Sequence, residues 1–345
     1  MKKILPVNYP IATSWPWHAG LLSILGAYPA ADSWVHSNYI QLIGSIVEEQ
    51  NILVMDFMPG VVDYLLCPWI KPQFISREYI ARHYDNIKDF FIEAIDSDAY
   101  IFAVINQQYA VKEIIGVDPE RMPHEILIYG YDLEHNKFNI ADFNFRKKYS
   151  FEEVDIENIC KGYCDIGIDE DFIAHRREGV VLLTFNKDTR YFFDSILVKK
   201  HIGSYLSGSG TDYITRMMVT DNTYVYNNDL GRMGINTYEL LYDHLYSLCN
   251  SNDGFDWRIP HVIYDHKNLM SERIIFMTEN KLLDNSDYAE DIYKIKELSY
   301  KLRNLYLKMM ISGKAYLVNE IVDGYKDLCK KEEQFLGRVY NAIKI

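Results

Sequence analysis

Two residues in this chain have the types and spacing to share a proton. His124 opens the apolar run His124-Glu-Ile-Leu-Ile-Tyr-Gly-Tyr-Asp132, and Asp142 closes the next one, Phe138-Asn-Ile-Ala-Asp142. An imidazole gives and takes a proton near neutral pH, and a carboxylate on one ring nitrogen fixes its tautomer. Both runs read as strands, with Leu133-Glu-His-Asn136 as the hairpin turn between them. Side chains alternate along a strand. A plain four-residue turn pairs Asp132 with Lys137, sets His124 opposite Phe145, and leaves Asp142 on the other face. The two meet only if a three-residue loop or a β-bulge shifts the register. The residues alone leave other readings open: a strand-start histidine bonded to backbone, and a turn-side surface carboxylate.

A nucleophile for acyl chemistry has to lie within reach of such a base. Ser14-Trp-Pro-Trp-His18 supplies one hydroxyl, Ser14, and a second imidazole, His18. Ser14 also reads as the N-cap of a helix over 14–28, with Pro16 in its first turn. His18 and Trp17 are expected at the same cleft, Trp17 as a substrate-binding surface. Cys67 is either a thiol approaching from another loop or a buried structural residue. Gln107 and Gln108 end a strand and read equally as hydrogen-bond donors lining the groove, for substrate binding, or as exposed strand-end amides. His261 and Asp265 share a helix face, and His266 adjoins them, but no third ligand is apparent. Cys160 and Cys164 lack a second pair at zinc-ligand spacing, so no metal is expected. Gly208-Ser-Gly-Thr211 lacks the lysine of a phosphate loop and reads as a flexible loop.

The elements that must position these residues are legible in outline. After the helix over 14–28 come a helix near 38–49, a strand over 51–55, and a short apolar segment over 60–66. One helix runs from Ser76 to about 94. Ala99-Tyr-Ile-Phe-Ala-Val-Ile105 is a strand covered on both faces. Ser150-Phe-Glu-Glu153 has the form of a capping box and predicts a helix start. A strand follows over 179–185. The remainder is helical: 191–206, 237–249, Pro260 to about 279, 288–311 and 315–342. Leu317, Ile321, Tyr325, Leu328, Phe335 and Val339 make a stripe that serves equally for packing inward or on a second copy, as in a homodimer. The expected domains are 1–186 and 187–345.

A formal net charge of -13 argues against nucleic acid, which selects for a basic face. The runs Arg146-Lys147-Lys148 and Lys199-Lys200-His201 are short and read as solvated turns. Pro6, Asn8 and Pro10 interrupt any apolar segment after Lys2-Lys3, and no membrane span is expected. Five scattered cysteines fit reduced thiols in a cytoplasm.

The order of helix, helix, strand, histidine strand, aspartate strand and helix resembles a papain-like cysteine enzyme. It is similar to the bacteriocin-leader cysteine peptidases. It resembles more closely the N-terminal domains of the butirosin biosynthesis protein H type, acyltransferases that take an aminoacyl chain from a carrier protein. Leu21-Leu-Ser-Ile-Leu25, Ile101–Ile105, the histidine and aspartate runs, and Ser150-Phe-Glu-Glu153 carry that likeness. In the second half, Tyr238-Glu-Leu-Leu, Asp256-Trp-Arg258 and Asp265-His-Lys-Asn-Leu-Met270 are similar to segments of accessory proteins of nonribosomal peptide clusters. The resemblance implies an α+β, papain-like fold, with N-terminal helices on an antiparallel sheet and a helical C-terminal extension. It implies His124 as base and Asp142 as its orienter. It also places the family's cysteine at about Pro16, which carries no nucleophile.

Three readings follow. The first is an acyl-handling protein acting on a thioester carried by a partner's phosphopantetheine arm, with no cofactor of its own. His124 then activates the substrate's nucleophile. The second is a pseudoenzyme that binds a carrier protein or synthetase. The third is a peptidase using Cys67 or Ser14.

Overall fold

The computed structural model describes residues 1–47, 52–58, 63–110, 122–143, 148–167, 179–209, 231–248, 256–283, 287–313 and 315–345. In chain order the strands are β1 Lys2–Ile4, β2 Leu42–Val47, β3 Ile52–Phe57, β4 Ile70–Ile75, β5 Ala99–Asn106, β6 Pro123–Asp132, β7 Lys137–Phe143, β8 Tyr149–Asp155, β9 Val180–Phe185 and β10 Gly231–Met233. The helices are α1 Pro16–Leu25, α2 Asp32–Ser37, α3 Asp63–Leu66, α4 Arg77–His83, α5 Ile87–Asp96, α6 Ile156–Cys164, α7 Ser195–Ser207, α8 Thr237–Leu248, α9 Arg258–Glu279, α10 Asp287–Ser312 and α11 Val318–Ala342. The fold class is mixed α+β, with an antiparallel sheet and C-terminal helices.

Two compact units divide the chain. The first comprises Met1–Pro10, Pro16–Ala31 and Val61–Tyr191. Its antiparallel sheet runs β4-β9-β5-β6-β7-β8, with β1 added beside β6. β5 lies inside the sheet and is buried along its whole length, as its unbroken apolar run predicts. Pro72 sits on the edge strand β4, where its missing N–H costs no ladder bond.

Helices cover both faces of this sheet. A methyl group on Gly20 of α1 would lie 3.4 Å from the Phe102 ring and 4.0 Å from Leu127 Cβ. Phe102 and Leu127 are ladder partners, so both point toward α1. A methyl group on Gly162 of α6 would lie 3.5 Å from Ile105 Cβ and 2.9 Å from the Asn106 carbonyl. Ile105 therefore points to the opposite face, toward α6.

The second unit comprises Ile11–Trp15, Asp32–Gly60 and Phe192–Ile345. It holds the small sheet β10-β2-β3 and the helices α7 to α11. The stripe from Leu317 through Val339 is buried within the single chain. The core also encloses an ion pair. Lys267 Nζ lies 2.6 Å from Glu332 Oε1, and both residues are buried. Tyr238 donates to Glu332 Oε2 at 3.0 Å, and the ammonium lies over the Tyr205 and Tyr238 rings. Among the described residues, no helix is long and apolar enough to cross a membrane.

Three expected elements differ. The segment near 38–49 holds strand β2 instead of a helix. Leu42-Ile-Gly-Ser-Ile-Val47 is rich in β-branched residues and pairs with β3 and β10. Residues 149–155 form strand β8, and the helix begins only at Ile156. Ser150 bonds Glu152 rather than capping a helix, because the open edge of β7 takes this segment as its ladder partner. The helix predicted over 76–94 is broken into α4 and α5, with Ser76 and Asn86 as N-caps. Strands β1 and β4 were not expected from periodicity. Arg146 and Lys147, Gly210 and Thr211, and Cys249 lie outside the described residues.

Candidate active site

The β6–β7 hairpin begins as the turn chemistry dictates. Asn136 takes the left-handed conformation (φ 54°), and Asp132 pairs with Lys137. Tyr131 and Gly130 continue that register against Phe138 and Asn139. Then it shifts: Ile128 pairs with Ile140, and Tyr129 has no partner on β7. Tyr129 is a bulge residue, with Gly130 beside it. Beyond the bulge Leu127 faces Ala141, so alternation puts Asp142 on the same face as Ile126 and His124.

The result is contact. His124 Nδ1 lies 3.0 Å from Asp142 Oδ1. The Phe143 N–H donates to the same oxygen at 2.6 Å, and Gln107 Nε2 donates to Asp142 Oδ2 at 2.7 Å. Asp142 is buried, while the His124 side chain keeps 23% of its exposure. Burial works against the imidazolium. The charge and hydrogen bond of Asp142, with Glu125 adding, outweigh that and raise the His124 pKa to about 9. The imidazolium is therefore the resting form at neutral pH. With Nδ1 turned to Asp142, Nε2 is the ring atom left to meet a substrate.

The other expected residues take separate places. Ile105 pairs with His124 across β5 and β6, so the His124 Cβ leaves the sheet on the α6 face. α1 covers the opposite face, which separates the first helix from the pair. Pro16 opens α1, as expected, so the helix starts two residues later than the reading with Ser14 as its cap. Ser14 belongs to the second unit. There its backbone N–H and that of Thr13 both donate to Asp265 Oδ2 at 2.7 Å. Burial raises the Asp265 pKa to about 6, against those bonds. His18 is buried within α1, with the half-buried Trp17 ring 6.1 Å away. Cys67 is buried in the first unit and forms no disulfide. Gln108 is half-buried, and its N–H bonds Asn106 Oδ1 at 3.3 Å.

His266 bonds the Ile40 carbonyl and Lys267 Nζ, each at 2.8 Å, which occupies both ring nitrogens. Among the described residues, no group of three or more histidine, cysteine or acidic side chains is placed to hold a metal ion.

Two features of the site were missed by sequence reasoning. The first is the position of the bulge, which sequence reasoning named only as a condition and for which a glycine inside a strand was an available signal. The second is the bond from Gln107 to Asp142, which joins residues far apart in sequence and has no local signature.

No family model matches this chain, and no curated protein matches it.

Proposed function

We propose that this chain is an accessory acyl-handling protein of peptide natural-product assembly, built on a papain-like domain. It acts on an acyl or aminoacyl group that a carrier protein delivers as a phosphopantetheine thioester. His124 serves as general base toward the substrate's own amine or carbon nucleophile, and Asp142 orients the ring. The observation that carries this reading is the His124–Asp142 pair at 3.0 Å, with Nε2 turned away from the carboxylate. Only the neutral ring accepts a proton at Nε2, so a base with its pKa near 9 gains effectiveness as pH rises toward 9. The mechanism needs no enzyme nucleophile. Proline at position 16 and the placement of α1 on the opposite sheet face are consistent with that.

A second reading is a carrier- or synthetase-binding module without catalysis. The resting imidazolium favours it, because a cation at a half-exposed position suits the phosphate of a phosphopantetheine arm.

The test is single-turnover. A panel of aminoacyl and acyl carrier proteins is mixed with the chain and an amine acceptor, and carrier mass is followed. Loss of the acyl group that His124→Ala abolishes supports the first reading. Carrier binding with the acyl group intact supports the second. Neither binding nor turnover overturns both.

A further inference from the structure

Gln107 lies against the pair. It follows β5 in a short 3-10 turn, Gln107–Tyr109, and is 3% exposed. Its side-chain nitrogen donates to Asp142 Oδ2 at 2.7 Å and to the Phe143 carbonyl at 2.8 Å. A primary amide carries two N–H groups, so these two shorter bonds commit both, while the same nitrogen lies 3.5 Å from His124 Nδ1. Both partners are acceptors, which fixes the nitrogen, rather than the oxygen, toward them. The Gln107 backbone N–H is committed as well, to the Met122 carbonyl at 2.8 Å.

The residue before it fixes the turn. Asn106 is buried; its Oδ1 accepts from the Met122 N–H at 3.1 Å and the Gln108 N–H at 3.3 Å. Its Nδ2 donates to Asp165 Oδ2 at 2.6 Å, just past the end of α6. Asn106 thus ties β5, the start of β6 and α6 together around Gln107. Asp142 has two oxygens to orient: the Phe143 N–H and His124 take one, and Gln107 takes the other.

We infer that Gln107 is a positioning residue: its amide holds the Asp142 carboxylate in the rotation that meets His124 Nδ1, and it does not bind substrate. The inference deepens the acid–base reading of this pair, but it is tested without any acyl substrate. A failure of the acyl reading therefore leaves it standing, and the reverse holds too.

The experiment is a titration of the His124 ring protons by NMR in the full chain. Gln107→Met keeps the length of the side chain and removes both donors. The pKa of His124 is expected to fall by about one pH unit or more, as the carboxylate turns away from the ring. An unchanged or higher value overturns the inference. A measurement on the unaltered chain stands beside it, should the variant fail to fold. The two Gln107 side-chain amide protons are expected to exchange slowly and to shift with the midpoint of His124. Exchange as fast as that of an exposed amide, or no response to the His124 titration, overturns it equally.

Discussion

His124 and Asp142 share a sheet face because one residue between them, Tyr129, is left out of the β6–β7 ladder. Turn chemistry sets the register at Asp132 and Lys137, and in that register alone the two side chains point apart. The bulge moves the pairing by one residue and brings Nδ1 to 3.0 Å from the carboxylate. A single unpaired residue converts two strand-end polar groups into a proton-sharing pair.

The charge of that pair is testable directly. Asp142→Asn removes the main group that supports the imidazolium, leaving the smaller contribution of Glu125 against the opposing burial. The His124 pKa should then fall from about 9 to below the ordinary value of about 6.5. An NMR titration of the ring protons reads this, and a value still near 9 contradicts it.

The same pair links stability to pH. The folded-state pKa of His124 is raised, so the stabilisation is fully present below about pH 6.5 and is lost as pH rises through about 9. Its size is roughly 3 kcal/mol at most, from the interval between the two values. Urea unfolding midpoints measured from pH 6 to 10 should fall over that window in the unaltered chain. The fall attributable to this group should be absent in His124→Gln.

Gly130 holds the bulge open to its neighbour. A methyl group there would lie 2.9 Å from the Lys3 carbonyl and 3.0 Å from Ile4 Cα, both backbone atoms of β1. Gly130→Ala should cost about 1–3 kcal/mol in a denaturant titration, because backbone cannot yield as a side-chain tip does. Where the variant folds, its His124 pKa should also drop. Unaltered stability would mean β1 moves aside freely.

The buried ion pair of the second unit predicts an asymmetry. Lys267→Met strands Glu332 in the core and should destabilise by about 3–5 kcal/mol. Lys267→Met with Glu332→Leu removes both charges and should recover a large part of that loss. Equal destabilisation of the single and the double variant would argue that Tyr238 and His266, rather than charge compensation, hold this site together.

Long apolar periodicity made much of the fold legible: β5, the β6–β7 hairpin, β9 and the C-terminal helices follow from it. Short or ambiguous runs did not. Leu42–Val47 is apolar enough for either period, and only its pairing with Ile52–Phe57 decides for a strand. Ser150-Phe-Glu-Glu153 satisfies a local capping rule that the edge of β7 overrides. At the site, the sequence marks His124 and Asp142 as chemically apt and states the condition for their meeting. Whether that condition holds depends on Tyr129, whose own type carries no bulge signal. The role of Gln107 depends on a contact across 35 positions, which only the folded sheet creates.

The proposed role of His124 is that of a base acting on a carrier-bound acyl group. The most direct test is the single-turnover rate of acyl loss from the carrier thioester, measured from pH 6 to 10 for the unaltered chain and His124→Gln. The rate should rise with pH, reach half its maximum near pH 9 and level off above it, and should fall about 10²–10⁴-fold in the variant. A variant as fast as the unaltered chain across that range would contradict it.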